Sequence, residues 1–236
     1  LYLINAVNNM FPDINLELED VISSWAGLRP LIYEEGKSAG ELSRKDEIFE
    51  SDSGLISIAG GKLTGYRKMA ERIVDLIHKR TSKEHGLKLK AIQTEKLPLN
   101  ENPFKNYKEV KSYVQDISPG WQAYGFSRTD IESLVHRYGR QTDLIFDKFQ
   151  QITEEDAEIR LAKAELWYGI HHEMVIKPLD FFERRTGRLY FDPFQLDKLK
   201  EPILKEFANY FNWDESTFQS EKEILEAAFR KITEYK

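Results

Sequence analysis

The sequence contains no cysteine, which excludes disulfides, thiolate nucleophiles and cysteine-ligated zinc. That absence suits a reducing cytoplasm. No apolar run approaches the roughly 20 residues that a helix needs to cross a bilayer. The opening LYLINAVNNMF has neither the basic start nor the long apolar stretch of a secretory signal. Contact with a membrane surface stays open, because it needs only a patch. Positive charge is not in excess: 34 Lys and Arg stand against 40 Asp and Glu, a formal charge of −6. A basic face of the kind that binds nucleic acid is therefore not expected. No G-x-G-x-x-G follows an early strand, and no acidic ribose partner follows it. Fixed-period repeats and low-complexity tracts are also lacking.

What remains is 236 residues, 41% hydrophobic and 31% charged, the balance of one or two soluble domains with real cores. Residue 1 is Leu, and the chain opens directly into helical spacing at Ile4, Val7, Met10 and Phe11. This reads as a segment excised from a longer protein. Pro12 stops that first helix. Residues 20–32, DVISSWAGLRPLI, read as a strand turning at Gly27 and Pro30. Residues 46–50 and 55–59 flank Ser-Asp-Ser-Gly, which predicts a hairpin, with Ile56 and Ile58 on one face and Ser57 on the other.

Gly60-Gly61 closes that hairpin, and a helix is predicted over 64–80, with Met69, Ile73, Leu76 and Ile77 on its apolar face. Residues 81–102 are charged and then Pro-containing, a connector. From about residue 103 the pattern is helical. Ser127 to Asp130 reads as a capping box, Gly139 as a stop, and Thr153 to Asp156 as a second helix start. Two further helices are predicted over 194–211 and 218–235.

Strand, Gly-Gly and helix start make a platform for an anion or cofactor. Amides at a helix start favour negative charge, and glycines admit a ligand close to the backbone. By itself the pattern is also ordinary turn chemistry. His171-His172-Glu173 lacks H-E-x-x-H spacing, and adjacent helical residues diverge, so no metal site is expected. His136 and Tyr138 read as helix-end packing. Arg184, Arg185 and Arg188 read as partners of helix carbonyls or nearby acids, with contact to a partner domain or anionic lipid as the other reading. Trp121, Tyr124, Phe126, Trp167, Tyr168, Phe181, Phe182 and Trp213 read as packing residues. No Ser-His-Asp arrangement has local support.

Two segments carry a more specific signal: SSWAGLRPL over 23–31 and IAGGKLTGYR over 58–67. Together with SLVHRYG, AELWYGIHHEM and DFFERRTGRLYF, they make the chain resemble the C-terminal part of FAD-dependent glycerol-3-phosphate dehydrogenases and the related α-glycerophosphate oxidases. The resemblance is least distinct over residues 81–120 and the last thirty or so. It implies an α+β remnant of an FAD- and substrate-binding domain over 1–80, the connector 81–102, and an all-α C-terminal domain over 103–236, with about five or six helices.

The resemblance also implies a reaction: sn-glycerol 3-phosphate is oxidised to dihydroxyacetone phosphate, a hydride passing from C2 to N5 of FAD. Electrons then go to membrane quinone in the dehydrogenases or to O₂ in the oxidases. Arg29 in GLRPL, Arg44 in LSRKD and Lys62 in GGKLTGYR match the family's substrate-binding cations, and Arg29 and Lys62 its catalytic ones. Lys45 intervenes before Asp46 where the family has S/T-R-D. Guanidinium forks and an ammonium suit a phosphate dianion, and a cation near the C2 oxygen would steady charge as its proton leaves. Gly60, Gly61, Lys62, Leu63 and Thr64 correspond to the backbone at the flavin's pyrimidine edge. Many members have Thr where this chain has Gly65.

The expected partners are glycerol 3-phosphate, an N-terminal FAD domain that these residues do not supply, a cytoplasmic membrane face with its quinone, and a second copy of the chain. Because the dinucleotide fingerprint lies elsewhere, this chain alone is expected to hold no FAD and to turn nothing over. The alternative from another class is a helical module for oligomerisation or membrane docking, without catalysis.

Overall fold

Residues 1–28, 32–33, 35–36, 45–88 and 90–234 are described by a computed structural model. They form two compact units, one of Gly27–Glu101 and one of Leu1–Ala26 with Asn102–Lys236.

The smaller unit is built on the predicted hairpin. Strand β1 (Asp46–Glu50) pairs antiparallel with β2 (Ile56–Gly60), Glu50 opposite Ile56 and Asp46 opposite Gly60. The turn closes through the Ser51 amide to the Leu55 carbonyl at 3.0 Å and the Ser51 hydroxyl, which accepts from the Leu55 amide at 3.2 Å. Ile48 pairs with Ile58 on the inward face.

After a 3₁₀ turn (Leu63–Gly65), helix α2 (Tyr66–His85) packs back on the strands with Met69, Ile73 and Leu76 half-buried. It starts two residues later and ends five residues beyond the predicted span, where Gly86 caps it at φ 66°. Two ion pairs clamp it to β1, Arg72 to Asp46 and Arg80 to Glu50. Their spacing fits the geometry. Eight helical residues rise about 12 Å and four strand residues about 13 Å, so α2 runs parallel to β1 with both pairs in reach.

The larger unit is helical. Helices α3 (Tyr107–Gln122), α4 (Arg128–Tyr138) and α5 (Thr142–Gln151) pack on α6 (Ala157–His172) around Trp121, Ile131, Ile145 and Phe149. The other side of α6 meets a π-helical turn (Asp180–Arg185), the short α7 (Arg188–Phe191), α8 (Pro193–Phe211) and α9 (Glu215–Thr233), around Phe181, Phe182, Leu199 and Phe207. Helix α6 thus serves two cores. Leu161 and Ala164 enter one, Ala162 and Leu166 the other. Its sequence, AEIRLAKAELWYGI, is accordingly apolar on more than one side.

The predicted start of α4 is present, the Ser127 hydroxyl accepting from the Asp130 amide and the Asp130 carboxylate accepting from the Ser127 amide. At α6 the cap is Asp156, the last residue of the predicted Thr153 to Asp156 start, which accepts from the Glu158 and Ile159 amides at 2.9 and 3.1 Å.

The first 26 residues differ most from the sequence reading, which groups them with the α+β part; the structure groups them with the helical unit. Helix α1 (Tyr2–Met10) forms as predicted. The strand predicted from residue 20 does not. A 3₁₀ turn occupies Leu18–Asp20, Val21 is extended, and residues 22–28 carry no regular secondary structure. A strand needs a neighbour to complete its ladder; here the Ser24 amide donates to the carbonyl of Ile232, at the end of α9, at 2.8 Å. Residues 81–101, predicted as a connector, group with the smaller unit and include the end of α2.

Candidate functional site

The diglycine corner sits where β2 hands over to α2. Gly60 has φ 80° and Gly61 φ 78°, a left-handed backbone that residues with a Cβ rarely adopt. The space is closed as well. A Cβ on Gly60 would lie 2.6 Å from the Lys45 carbonyl oxygen and 3.1 Å from the Ile32 side chain. One on Gly61 would lie 3.2 Å from both the Asp46 Cβ and the Met69 sulfur. Ile32 and Lys45 therefore close on this corner.

Beyond the corner the chain opens to solvent. Lys62, Leu63 and Thr64 are exposed, Leu63 by 90%. Lys62 stands at the head of the 3₁₀ turn and makes no ion pair or side-chain hydrogen bond among the described residues. Its carbonyl accepts from the Gly65 amide at 2.8 Å. The Leu63 and Thr64 amides have no acceptor among the described residues, as expected of the first positions in a helical turn. The first turn of α2 contains no acid and does contain Arg67 and Lys68. Both turn to Glu71, where the Lys68 ammonium, more than Arg67, holds the carboxyl below the ordinary carboxylate range.

The sequence-predicted site residues thus divide. Gly60, Gly61, Lys62, Leu63 and Thr64 follow one another through the turn, with two amides and one ammonium that have no partner among the described residues. Arg29 and Arg44 lie outside the described residues. No cluster of His, Asp or Glu suited to a metal ion occurs among the described residues.

The helical unit holds its own polar centre. The Glu165 carboxylate is fully buried and accepts from Arg137 at 2.7 Å, Tyr138 at 3.0 Å and Arg188 at 2.5 Å. Burial, then the Glu165 charge, push the Tyr138 hydroxyl well above its ordinary value. Arg188 also donates to Gln195 at 2.7 Å. Arg185 reaches the Glu173 carbonyl and Arg184 reaches Asp180, so these arginines do satisfy carbonyls and acids. The His171 ring bonds the Trp167 carbonyl at 2.8 Å, a structural use. These groups are spent within the fold apart from one buried guanidinium nitrogen, Arg188 Nη1, which has no hydrogen-bond partner among the described residues.

Residues 92–218, which take in α3 to α8, match the family described as the C-terminal domain of alpha-glycerophosphate oxidase. The chain belongs to that family. This C-terminal domain of alpha-glycerophosphate oxidase type falls almost wholly on the helical unit. Similarity to named relatives extends over nearly the whole chain. An aerobic glycerol-3-phosphate dehydrogenase of Bacillus subtilis is 43% identical over 95% of the chain. One from Staphylococcus epidermidis is 40% identical over 96%. In each case the chain spans about two-fifths of the relative, 41% of its length. A crystal structure of glycerol-3-phosphate dehydrogenase from Bacillus halodurans, complexed with FAD, superposes with a TM-score of 0.78 at 36% identity, covering 98% of this chain and 44% of that one.

Sequence reasoning singled out Tyr138 and Arg188 but not Glu165, and it did not single out Trp25, whose ring lies 5.0 Å from Tyr190 and 5.4 Å from Phe191 between centroids. Trp25 lies inside SSWAGLRPL, and that position was the available signal.

Proposed function

We propose that this chain is the C-terminal part of an FAD-dependent glycerol-3-phosphate dehydrogenase that oxidises sn-glycerol 3-phosphate to dihydroxyacetone phosphate. One observation carries the reading. Ile32, three residues after Arg29, and Lys45, the residue after Arg44, both meet Gly60, two residues before Lys62. Two described residues close in sequence to Arg29 and Arg44 thus meet the turn that leads to Lys62, and this supports reading the three cations as one set.

The corner fits the edge of a flavin. Gly60 and Gly61 turn the chain where the Lys45 carbonyl, Ile32, Asp46 and Met69 occupy the space a side chain would need, and beyond that turn the exposed Leu63 and Thr64 amides, without an acceptor among the described residues, offer the donors. When bound there, FAD supplies the hydride acceptor. The chain's own groups do the rest. Arg29 and Arg44 grip the phosphate through guanidinium forks. Lys62, free of intramolecular partners among the described residues, faces the C2 oxygen and steadies its charge as the proton leaves. The amides and the start of α2 favour negative charge on the adjoining ring. The dinucleotide fingerprint is supplied from outside these residues, so this chain alone holds no FAD and is inactive.

Quinone is the proposed acceptor, because the relatives that match along nearly all of the chain are named dehydrogenases. The family's own description favours O₂ as the second reading. No helix among the described residues is long and apolar enough to cross a membrane; docking at a membrane face and self-association remain parts of the proposal.

The test uses the full-length, FAD-loaded protein that carries this chain. Dye reduction by glycerol 3-phosphate is expected, with Lys62→Ala lowering kcat/KM by about 10²-fold or more. A protein that holds FAD and ignores glycerol 3-phosphate overturns the reading. Peroxide released with turnover would assign O₂ in place of quinone.

A further inference from the structure

The polar centre of the helical unit is out of balance. Two guanidinium groups, Arg137 and Arg188, share the single carboxylate of Glu165, which leaves one positive charge over. Tyr138 does not offset it, since burial holds its hydroxyl protonated. Glu173 does not either, since it is paired with Arg185 at 3.4 Å. The Arg188 side chain is only 8% exposed. Its Nε donates to Gln195 and its Nη2 to Glu165, while the buried Nη1 has no acceptor among the described residues. A buried donor without an acceptor and a buried charge without a counter-charge are both costly, and folded proteins rarely keep either.

Arg137 and Arg188 stand on the wall of a cavity of about 570 Å³ that lies wholly within the helical unit, among α4, α7 and the starts of α6 and α8. Small-molecule sites commonly enclose roughly 300–1,000 Å³. The rings of Tyr124, Phe126 and Phe191 line the same space. Its acids are already engaged. Asp130, Asp156 and Asp192 accept from amides or hydroxyls at the starts of α4, α6 and α8. Glu158 shares Lys198 with Asp156. The guanidinium end of the cavity is therefore the one part of its wall with a donor and a charge left over.

We propose that this cavity binds a small organic monocarboxylate, its oxygens accepting from Arg188 Nη1 and from Arg137, its apolar part lying against the aromatic wall. Arg137 suits the second contact, because it gives Glu165 one bond and keeps 31% of its side-chain exposure. Carboxylate is the matching chemistry for a guanidinium, and one negative charge cancels one excess positive charge. A dianion would exceed that balance and meet the four acids of the wall. An aromatic or short aliphatic body gains from contact with the rings. The site is separate from the diglycine corner and independent of the reaction proposed there.

Calorimetric titration and thermal melts test this on the 236-residue chain and on the full-length, FAD-loaded protein, at one ionic strength. The probes are phenylacetate, acetate and the uncharged phenylacetamide. Phenylacetate is expected to bind both proteins, more tightly than acetate and at least tenfold more tightly than phenylacetamide. At ten times its Kd it should raise the Tm of the chain's helical transition by about 4 °C. Arg188→Met should weaken phenylacetate at least tenfold, and Lys62→Ala should leave its Kd unchanged. Gln195→Glu sets a carboxylate where the Gln195 oxygen now lies 2.7 Å from Arg188 Nε. It supplies the counter-charge from within, so it should raise the Tm of the unliganded chain and weaken phenylacetate at least tenfold. This variant carries the test if Arg188→Met does not fold, because Glu three residues after the Asp192 cap suits a helix start. Equal affinity for phenylacetate and phenylacetamide, or a parent-like Kd in Gln195→Glu, overturns the proposal. Binding by the chain and not by the full-length protein overturns it too, because a group from the rest of that protein then already answers Arg188.

Discussion

Replacing Glu165 by Ala should be the most damaging single polar substitution in the helical unit. The carboxylate is fully buried, and Arg188 beside it retains only 8% of its side-chain exposure. Removing the acid leaves the Arg188 guanidinium charged, buried and reduced to its bond with Gln195. Breaking a buried pair from one side costs about 3–5 kcal/mol, because the surviving charge keeps its desolvation penalty and loses its partner. Arg137 adds less, since at 31% exposure it can turn to solvent.

For a unit of this size, about 3 °C of Tm is lost per kcal/mol, so the helical transition should fall by about 10–15 °C. Circular dichroism melts and urea titrations of the chain read this directly. The urea midpoint should drop with no change in slope, since the same surface is exposed on unfolding. Glu165→Leu combined with Arg188→Met should recover at least half of the loss, because both charges leave together. Glu165→Ala within about 1 kcal/mol of the parent would refute the reasoning, as that is the value of an exposed pair.

Three further outcomes follow from single sites. Gly60→Ala must move the Lys45 carbonyl, which is backbone and cannot rotate away, and adds about 1–2 kcal/mol for the left-handed conformation; amide exchange in β1 and β2 should accelerate while the helical amides keep their protection. Ser127→Ala removes the hydroxyl that accepts from the Asp130 amide and should cost about 1 kcal/mol in urea unfolding.

Glu173 has its carboxyl raised above the ordinary value, first by burial and further by Glu165, with Arg185 partly offsetting both. The folded chain therefore holds that proton more tightly than the unfolded chain. The stability this provides is present below the ordinary carboxylate range and is lost as pH rises through the raised value. Glu173→Gln should gain on the parent in Tm as pH climbs through that window, and a gap that stays constant would refute the assignment.

Local signals in the sequence were legible wherever one segment supplies all its own partners. The hairpin over residues 46–60, the Ser127 capping box, α1, and the helical spacing of α8 and α9 each follow from contacts within a few residues. The diglycine corner was legible for the same reason: two consecutive glycines after a strand mark a backbone that a Cβ would block. Where partners are distant, the same reading failed or was silent. The alternating run beginning at residue 20 looked like a strand, but its recorded backbone partner at Ser24 is the end of α9, more than two hundred residues away. Arg188 was read as a partner of helix carbonyls or nearby acids, but Glu165 looked like an ordinary charged position, and only packing reveals that this one carboxylate serves two arginines and a tyrosine.

The sequence by itself determined the kinds of element, the corner between β2 and α2, and through its motifs the family. Tertiary structure decided which unit the first 26 residues join, that α6 faces two cores, and that Trp25 is seated on α7. The physical reason is range. Helical hydrogen bonds, caps and tight turns are closed by residues a few places apart, so residue order suffices to predict them. The burial of a charge or the seat of an aromatic ring depends on groups far along the chain, and only folding brings those together.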